Sequence, residues 1–203
     1  MDISEILPER TDRAVLVGQT GTGKTTLARY LLEYRKFVII YDAKGLIKWQ
    51  GYKRLTTLRA IYKCREPRII YAPVASELRD ETYHEAFFRF IYERKNTLCY
   101  VDETYAVTRG EIIPPSYHAC LTRGRERNIS VISSTQRPMY IPNVVLSESE
   151  HFYVLFLKMP QDRKKIYEAT GLEPEKIALL QKRYFYYTNF DKQRGPLTLQ
   201  IKR

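Results

Sequence analysis

Short apolar runs alternate with stretches of helical periodicity along the chain. The apolar runs predict strands at Arg13–Val17, Phe37–Tyr41, Arg68–Tyr71, Thr97–Val101, Ile129–Ser134 and Phe152–Lys158. Apolar residues spaced by three and four positions predict helices at Lys24–Tyr34, Glu77–Glu93, Ser116–Glu126, Gln161–Ala169 and Pro174–Gln181. Two further apolar segments, Tyr184–Thr188 and Pro196–Ile201, predict a closing pair of strands.

This alternation predicts an α/β fold with a mostly parallel central sheet and helices on both of its faces. The chain has 203 residues and contains no internal repeat, no low-complexity tract and no linker rich in Pro, Gly or Ser. We therefore expect a single domain that spans residues 1–203.

The composition is strongly basic, and this bears on the partners that the protein can bind. The formal net charge is +11, and the segment from Lys158 to Arg203 alone carries eleven Lys or Arg against five Asp or Glu. Such an excess favours a polyanion such as nucleic acid, although a basic, well-solvated surface also accounts for it. The three cysteines lack metal-type spacing and are interpreted as reduced thiols of an intracellular protein. No apolar run reaches the length of a transmembrane segment.

The segment Gly18-Gln-Thr-Gly-Thr-Gly-Lys-Thr25 follows the first predicted strand and fits the Walker A pattern G-x-x-x-x-G-K-[ST]. In this motif the glycines let backbone N–H groups point at phosphate oxygens, and the following helix adds its positive end. We expect Lys24 to reach the β- and γ-phosphates and the Thr25 hydroxyl to ligate Mg²⁺. The predicted ATP-binding residues are Gly18, Thr20, Gly21, Thr22, Gly23, Lys24, Thr25 and Thr26.

An Asp-Glu pair ends the later strand that includes Leu98-Cys-Tyr-Val101, as in a Walker B motif. Asp102 is the predicted second Mg²⁺ ligand, and Glu103 is the predicted base for the attacking water. The next strand ends in Thr135-Gln136-Arg137-Pro138, where Gln136 is expected to sense the γ-phosphate or hold the water. A helix cap or a solvated turn would also explain an Asp-Glu pair, but the Walker A motif upstream favours the functional interpretation.

Arginines cluster after the predicted helix at Ser116–Glu126. Arg123 and Arg125 are the predicted catalytic arginines, with Arg127 as a third candidate, and they would act as arginine fingers in the site of a neighbouring subunit. The alternative is a basic helix end that faces its own dipole. The pattern does not choose between these two interpretations.

Taken in order, the three motifs resemble the FtsK/HerA superfamily of DNA-pumping ATPases, over roughly residues 12–159. Tyr41-Asp-Ala-Lys-Gly45 is similar to the Asp-Pro-Lys/His-Gly segment of that superfamily, except for Ala43 in place of Pro. The small size looks most like the genome-packaging ATPases of tailless, membrane-containing icosahedral viruses, of the type found in Sulfolobus turreted icosahedral viruses.

This resemblance implies a RecA-like P-loop NTPase core that hydrolyses ATP and is assembled as a ring, expected to be a hexamer. It also implies double-stranded DNA in the pore, capsid or internal-membrane proteins of a virion as further partners, and a location in the host cytoplasm or with the virion. Basic residues at Lys44, Lys48, Lys53 and Arg54, or the segment Thr108–Glu111, are candidates for gripping that DNA.

Two other functions fit parts of the sequence. A nucleotide-kinase-type phosphotransferase shares the Walker A motif and the size, but it has no need for the Glu103 and Gln136 pair. A GTP-dependent switch would match the short Asp42-Ala-Lys-Gly45 segment, but the Asn-Lys-x-Asp element that recognises guanine is absent from the chain. A DNA pump therefore explains more of the residues than either alternative.

Overall fold

A nine-stranded sheet forms the centre of the structure, a computed structural model that describes residues 3–198. The strands lie in the order β3-β4-β2-β5-β6-β1-β7-β8-β9. All pairings from β3 to β7 are parallel, whereas β8 pairs antiparallel with both β7 and β9. The predicted α/β class, the mostly parallel sheet and the closing strand pair are confirmed.

The strands are β1 (Arg13–Val17), β2 (Val38–Tyr41), β3 (Lys53–Leu55), β4 (Arg68–Tyr71), β5 (Leu98–Val101), β6 (Ser130–Thr135), β7 (His151–Leu155), β8 (Tyr184–Thr188) and β9 (Gln193–Thr198). The α-helices are α1 (Lys24–Glu33), α2 (Leu58–Lys63), α3 (Ala75–Arg79), α4 (Glu81–Arg94), α5 (Pro115–Arg123), α6 (Asn143–Ser147), α7 (Pro160–Thr170) and α8 (Pro174–Ala178). Short 3₁₀ helices complete the fold at Ile3–Ile6, Thr104–Ala106, Gly124–Arg127 and Pro138–Tyr140.

Several predicted boundaries were wrong. The helix predicted over Glu77–Glu93 is two helices, α3 and α4, because Asp80 adopts an extended backbone and its carboxylate accepts the Thr82 N–H at 2.9 Å. The strand predicted at Pro196–Ile201 begins earlier, at Gln193, and its predicted last three residues lie outside the described residues. Sequence patterns did not predict β3, α2 or α6.

Two apolar layers cover the two faces of the sheet. Alternate residues of β1 show the division, since Val15 and Val17 face one layer while Ala14 and Leu16 face the other. The first layer is built with α2 and α4–α8. Among the α-helices of residues 3–198, only α1 contributes buried residues to the second layer, which also contains Ile6 and Ile47. Helices therefore lie on both faces, but α1 stands apart from the rest.

The cysteines are free, and the helices within residues 3–198 are too short or too polar to span a membrane. All three cysteines are free, with Cys99 and Cys120 buried and Cys64 half-buried. Within residues 3–198, no helix is long and apolar enough to cross a membrane.

Candidate functional site

The Walker A segment forms a loop between β1 and α1, at the carboxyl edge of the parallel sheet. Gly18 has a φ of +156° and packs so closely that an added Cβ would lie 2.7 Å from the Cβ of Leu155. Gly23, which precedes α1, has a φ of +115°, a value that side chains other than glycine rarely adopt. The loop therefore depends on these two glycines for its path, as the P-loop interpretation requires.

Lys24 lies beneath this loop with 8% of its surface exposed. Its Nζ donates hydrogen bonds to the carbonyl of Gly18 and, at 3.2 Å, to that of Gln19. Burial lowers the pKa of the Lys24 ammonium to about 8, against the opposing attraction of the Glu103 carboxylate. A phosphate would supply the counter-charge that this buried cation needs.

The other predicted loop residues line one cleft of about 370 Å³, which includes Gly21, Thr25 and Thr26. The Thr20 hydroxyl donates to the side-chain oxygen of Gln136 at 2.5 Å, so the loop contacts the end of β6. Thr22 is buried and its hydroxyl donates to the carbonyl of Gln19 at 2.7 Å. Thr22 therefore acts within the loop and does not line the cleft.

Asp102 follows β5 and accepts a hydrogen bond from the Tyr100 hydroxyl at 2.7 Å. Burial, together with the nearby charge of Asp42, raises the pKa of its carboxyl to about 6, against the lowering effect of the Tyr100 hydrogen bond. Asp42 follows the neighbouring strand β2, and its buried Oδ1 has no hydrogen-bond partner among the described residues. Two neighbouring carboxyl groups at this edge of the sheet are suited to a divalent cation.

These residues fit Mg²⁺ rather than a metal held by protein ligands alone. Within the described residues there is no group of three or more His, Cys, Asp or Glu arranged to bind a metal. Mg²⁺ in nucleotide sites takes one or two protein ligands and completes its shell with water and phosphate oxygens. The Thr25 hydroxyl and the Asp102 carboxylate, which line the same cleft, meet that requirement.

Glu103 is held in the cleft by several side-chain contacts. Its Oε1 accepts the Thr135 hydroxyl at 2.9 Å, and its Oε2 accepts the Gln136 side-chain N–H at 3.0 Å and pairs with the Lys44 ammonium at 3.1 Å. Its φ of +141° is unusual for a residue other than glycine, and such strain concentrates at functional sites. Three neighbours thus hold the carboxylate in one position beside the P-loop.

The strand order explains why Gln136 meets Glu103. β6 lies between β5, which carries Asp102 and Glu103, and β1, which carries the P-loop. Because parallel strands end at the same edge, the residues that follow β6 lie between the two motifs. The proximity expected from the sequence is therefore present.

Lys44 lines the cleft. Its ammonium pairs with Glu103 at 3.1 Å, whereas Lys48, Lys53 and Arg54 do not line the cleft; all four residues are exposed. Among the DNA-gripping candidates, Lys44 is thus the one whose contacts assign it to the nucleotide site. The segment Thr108–Glu111 forms a tight turn in which Arg109 and Ile112 exchange backbone hydrogen bonds.

The predicted arginines lie at the opposite, amino-terminal edge of the sheet. Arg125 pairs with Glu150 at 3.1 Å, just before β7, and Arg127 stacks 4.2 Å from the ring centroid of Tyr92. Arg123 is exposed and its guanidinium lies 5.9 Å from the same ring. Neither Arg123 nor Arg125 is brought to the cleft of its own chain, so any catalytic role has to be in a neighbouring subunit.

Two basic residues that the motifs did not indicate also line the cleft, Lys182 and Arg183. Arg183 donates its backbone N–H to the carbonyl of Thr22 at 2.9 Å, which joins the turn before β8 to the P-loop. The concentration of positive charge beyond Lys158 was the available signal, but it did not single out these two positions.

The chain is similar to viral DNA packaging ATPases. No protein-family model matches it. It is 26% identical over 176 residues to the DNA packaging ATPase P9 of Enterobacteria phage PRD1. The aligned region covers 84% of this chain and 75% of that protein.

Solved structures share the fold. The genome packaging NTPase B204 from Sulfolobus turreted icosahedral virus 2, in complex with AMPPCP, matches with a TM-score of 0.77 at 19% identity and covers 94% of this chain and 100% of B204. VirB4 of Thermoanaerobacter pseudethanolicus matches with a TM-score of 0.65 at 12% identity, covering 95% of this chain and 91% of VirB4. The predicted resemblance to packaging ATPases and the RecA-like P-loop fold are confirmed.

Proposed function

We propose that this protein hydrolyses ATP to move double-stranded DNA, and that it packages a viral genome into a preformed capsid. The arrangement of Glu103 beside the P-loop carries the hydrolytic part of the proposal. Its carboxylate is held in the cleft by Thr135, Gln136 and Lys44. The packaging part is supported by the sequence similarity to the PRD1 protein, which is described as a DNA packaging ATPase.

In this proposal the cleft binds ATP with Mg²⁺. The P-loop residues from Gly18 to Thr26 cradle the phosphates, and Lys24 neutralises charge on the β- and γ-phosphates. Thr25 and Asp102 would hold the Mg²⁺ ion, which would neutralise further charge on the phosphate oxygens. Glu103 accepts a proton from a water molecule, and Gln136 orients that water. The water oxygen bonds to the γ-phosphorus as the bond to the bridging oxygen breaks, which gives ADP and phosphate.

The separation of the arginines from the cleft supports the proposed assembly. The amino-terminal edge lies one strand length, about 16 Å, from the carboxyl edge of the same chain. A ring, expected to be a hexamer, would place Arg123 or Arg125 of one subunit against the γ-phosphate of the next. Arg125 is already paired with Glu150, so exposed Arg123 is the better candidate.

The remaining parts of the proposal concern partners and organisation. The net charge of +11 supports contact with the DNA backbone, which needs no sequence recognition. Residues 1–203 would act as one domain, in the host cytoplasm or with the virion, and would dock on capsid or internal-membrane proteins.

Steady-state ATP hydrolysis, measured with and without long double-stranded DNA over a range of protein concentration, tests the proposal. We expect stimulation by DNA and a rate that rises more than linearly with protein, because each site is completed between subunits. A Glu103→Gln variant is the control for contaminating ATPases. Hydrolysis that is indifferent to both DNA and concentration would leave an ATPase but exclude the motor.

A further inference from the structure

The turn that precedes β8 forms one wall of the nucleotide cleft. The Tyr184 N–H donates to the carbonyl of Gln181 at 3.1 Å, which closes a four-residue turn with Lys182 and Arg183 at its centre. The backbone N–H of Arg183 donates to Thr22 at 2.9 Å, and the Cα of Arg183 lies 3.6 Å from the place where a Cβ on Gly23 would stand. The P-loop and this turn are therefore packed together, although they are separated by most of the chain.

The backbone of Arg183 is unusual for its residue type. Its φ is +72°, the left-handed conformation that favours glycine at the third position of a turn. An arginine at such a position is less stable than glycine would be, so its side chain is expected to have a use. The turn itself does not require a guanidinium.

The side chains of Lys182 and Arg183 have no hydrogen bond, ion pair or ring contact with any other residue in the described range 3–198. Both line the cleft, where Lys24 and Lys44 are the other cations and Asp102 and Glu103 are the carboxylates. Lys44 is paired with Glu103, so the charge left over in the cleft is positive. An anionic ligand of the cleft would supply the missing partner.

We propose that Arg183, assisted by Lys182, binds the α-phosphate end of the nucleotide; this inference rests on the proposed ATPase function. The assignment to the α-phosphate follows from the two sides of the loop. Thr20 contacts Gln136 beside Glu103, where the γ-phosphate has to lie for hydrolysis. Thr22 and Gly23 contact Arg183, so the turn meets the other end of the phosphate chain.

Calorimetric titration of the full chain with ADP, and of the Glu103→Gln background with ATP, tests this contact. Arg183→Gly is the informative variant, because glycine suits the positive φ of the turn while the whole arginine side chain is removed. We expect ADP and ATP affinity to fall together by about tenfold, the value for one charge-assisted hydrogen bond. KM for ATP should rise by the same factor with kcat unchanged, while the unfolding temperature should not decrease.

Further variants sharpen the result. Arg183→Lys should restore part of the affinity, and Lys182→Ala should weaken binding less than Arg183→Gly. Arg59→Ala, which removes an exposed arginine from α2, should leave binding unchanged.

Three outcomes would overturn the inference. Wild-type ADP affinity in Arg183→Gly would show that the turn has a structural role only. Unchanged ADP affinity with weakened ATP binding and a lower kcat would assign Arg183 to the γ-phosphate instead. A wild-type protein that binds no nucleotide would remove the proposed function together with this inference.

Discussion

Replacing Lys24 with methionine should stabilise the nucleotide-free protein while it abolishes nucleotide binding. The wild-type ammonium is buried, and its pKa is lowered from 10.5 to about 8. At about 1.4 kcal/mol per pKa unit, keeping this group charged in the folded state costs about 3 kcal/mol at neutral pH. Methionine keeps the apolar stem and removes the charge.

The gain is reduced because Lys24 also donates to the carbonyls of Gly18 and Gln19. Loss of those donors should cost about 1–2 kcal/mol in total, which leaves a net stabilisation of about 1–2 kcal/mol. For a chain of this size the unfolding temperature should rise by about 3–6 °C.

The pH dependence has a definite sign. The folded pKa of Lys24 lies below the unfolded value, so between pH 8 and 10.5 the unfolded state binds more protons and the wild type gains stability as pH rises. The advantage of Lys24→Met should therefore be complete below about pH 8, and it should be lost and then reversed as pH approaches 10.5, where only the cost of the lost hydrogen bonds remains.

Urea unfolding of both proteins, without nucleotide or Mg²⁺, at several pH values from 7 to 10 measures this difference. Lys48→Met is the matched control, since Lys48 is exposed, and its effect should not change with pH in the same way. A Lys24→Met protein that is less stable than wild type at pH 7, or whose advantage is the same at pH 7 and pH 10, would refute the reasoning.

Three further changes probe the P-loop, the base and the subunit contact. Glu103→Gln should bind ATP with nearly normal affinity but hydrolyse it about 10²–10⁴-fold more slowly, as measured by phosphate release; near-normal turnover would remove Glu103 from its role. Gly18→Ala should lose ATP binding and about 1–3 kcal/mol of unfolding free energy through the clash with Leu155. Gly51→Ala is the control, because the φ of Gly51 is also positive but an added Cβ would meet nothing within 4 Å. It should lose less unfolding free energy and keep ATP binding. Arg123→Ala assayed by itself should not hydrolyse ATP, and it should regain part of the activity when it is mixed with Glu103→Gln subunits. No recovery in any mixture would argue against an arginine finger at Arg123.

The parts of the site that were predicted from sequence are those encoded within a few residues. The P-loop depends on closely spaced glycines between one strand and one helix, and Asp102 and Glu103 follow directly from a buried strand. The central strands are recognisable because strands of a parallel sheet covered on both faces are continuously apolar.

Features that depend on distant contacts escaped prediction. The short strand β3 is mostly exposed, so it has no apolar run to reveal it. The end of α3 is set by Asp80 and by buried Glu77, whose carboxylate accepts the Leu58 N–H and the Tyr71 hydroxyl. The apolar periodicity continues across both residues and therefore did not indicate the break. Arg183 reaches the P-loop only because β8 pairs with β7 beside β1, a relation that no local pattern contains.

Displacement of a third strand from a triplex-forming site on linear double-stranded DNA tests the central claim, translocation, most directly. The account predicts displacement that requires ATP, is faster for sites nearer to the loading end, and is absent for Glu103→Gln and for a non-hydrolysable ATP analogue. ATP hydrolysis that is stimulated by DNA but displaces no third strand at any distance would contradict it.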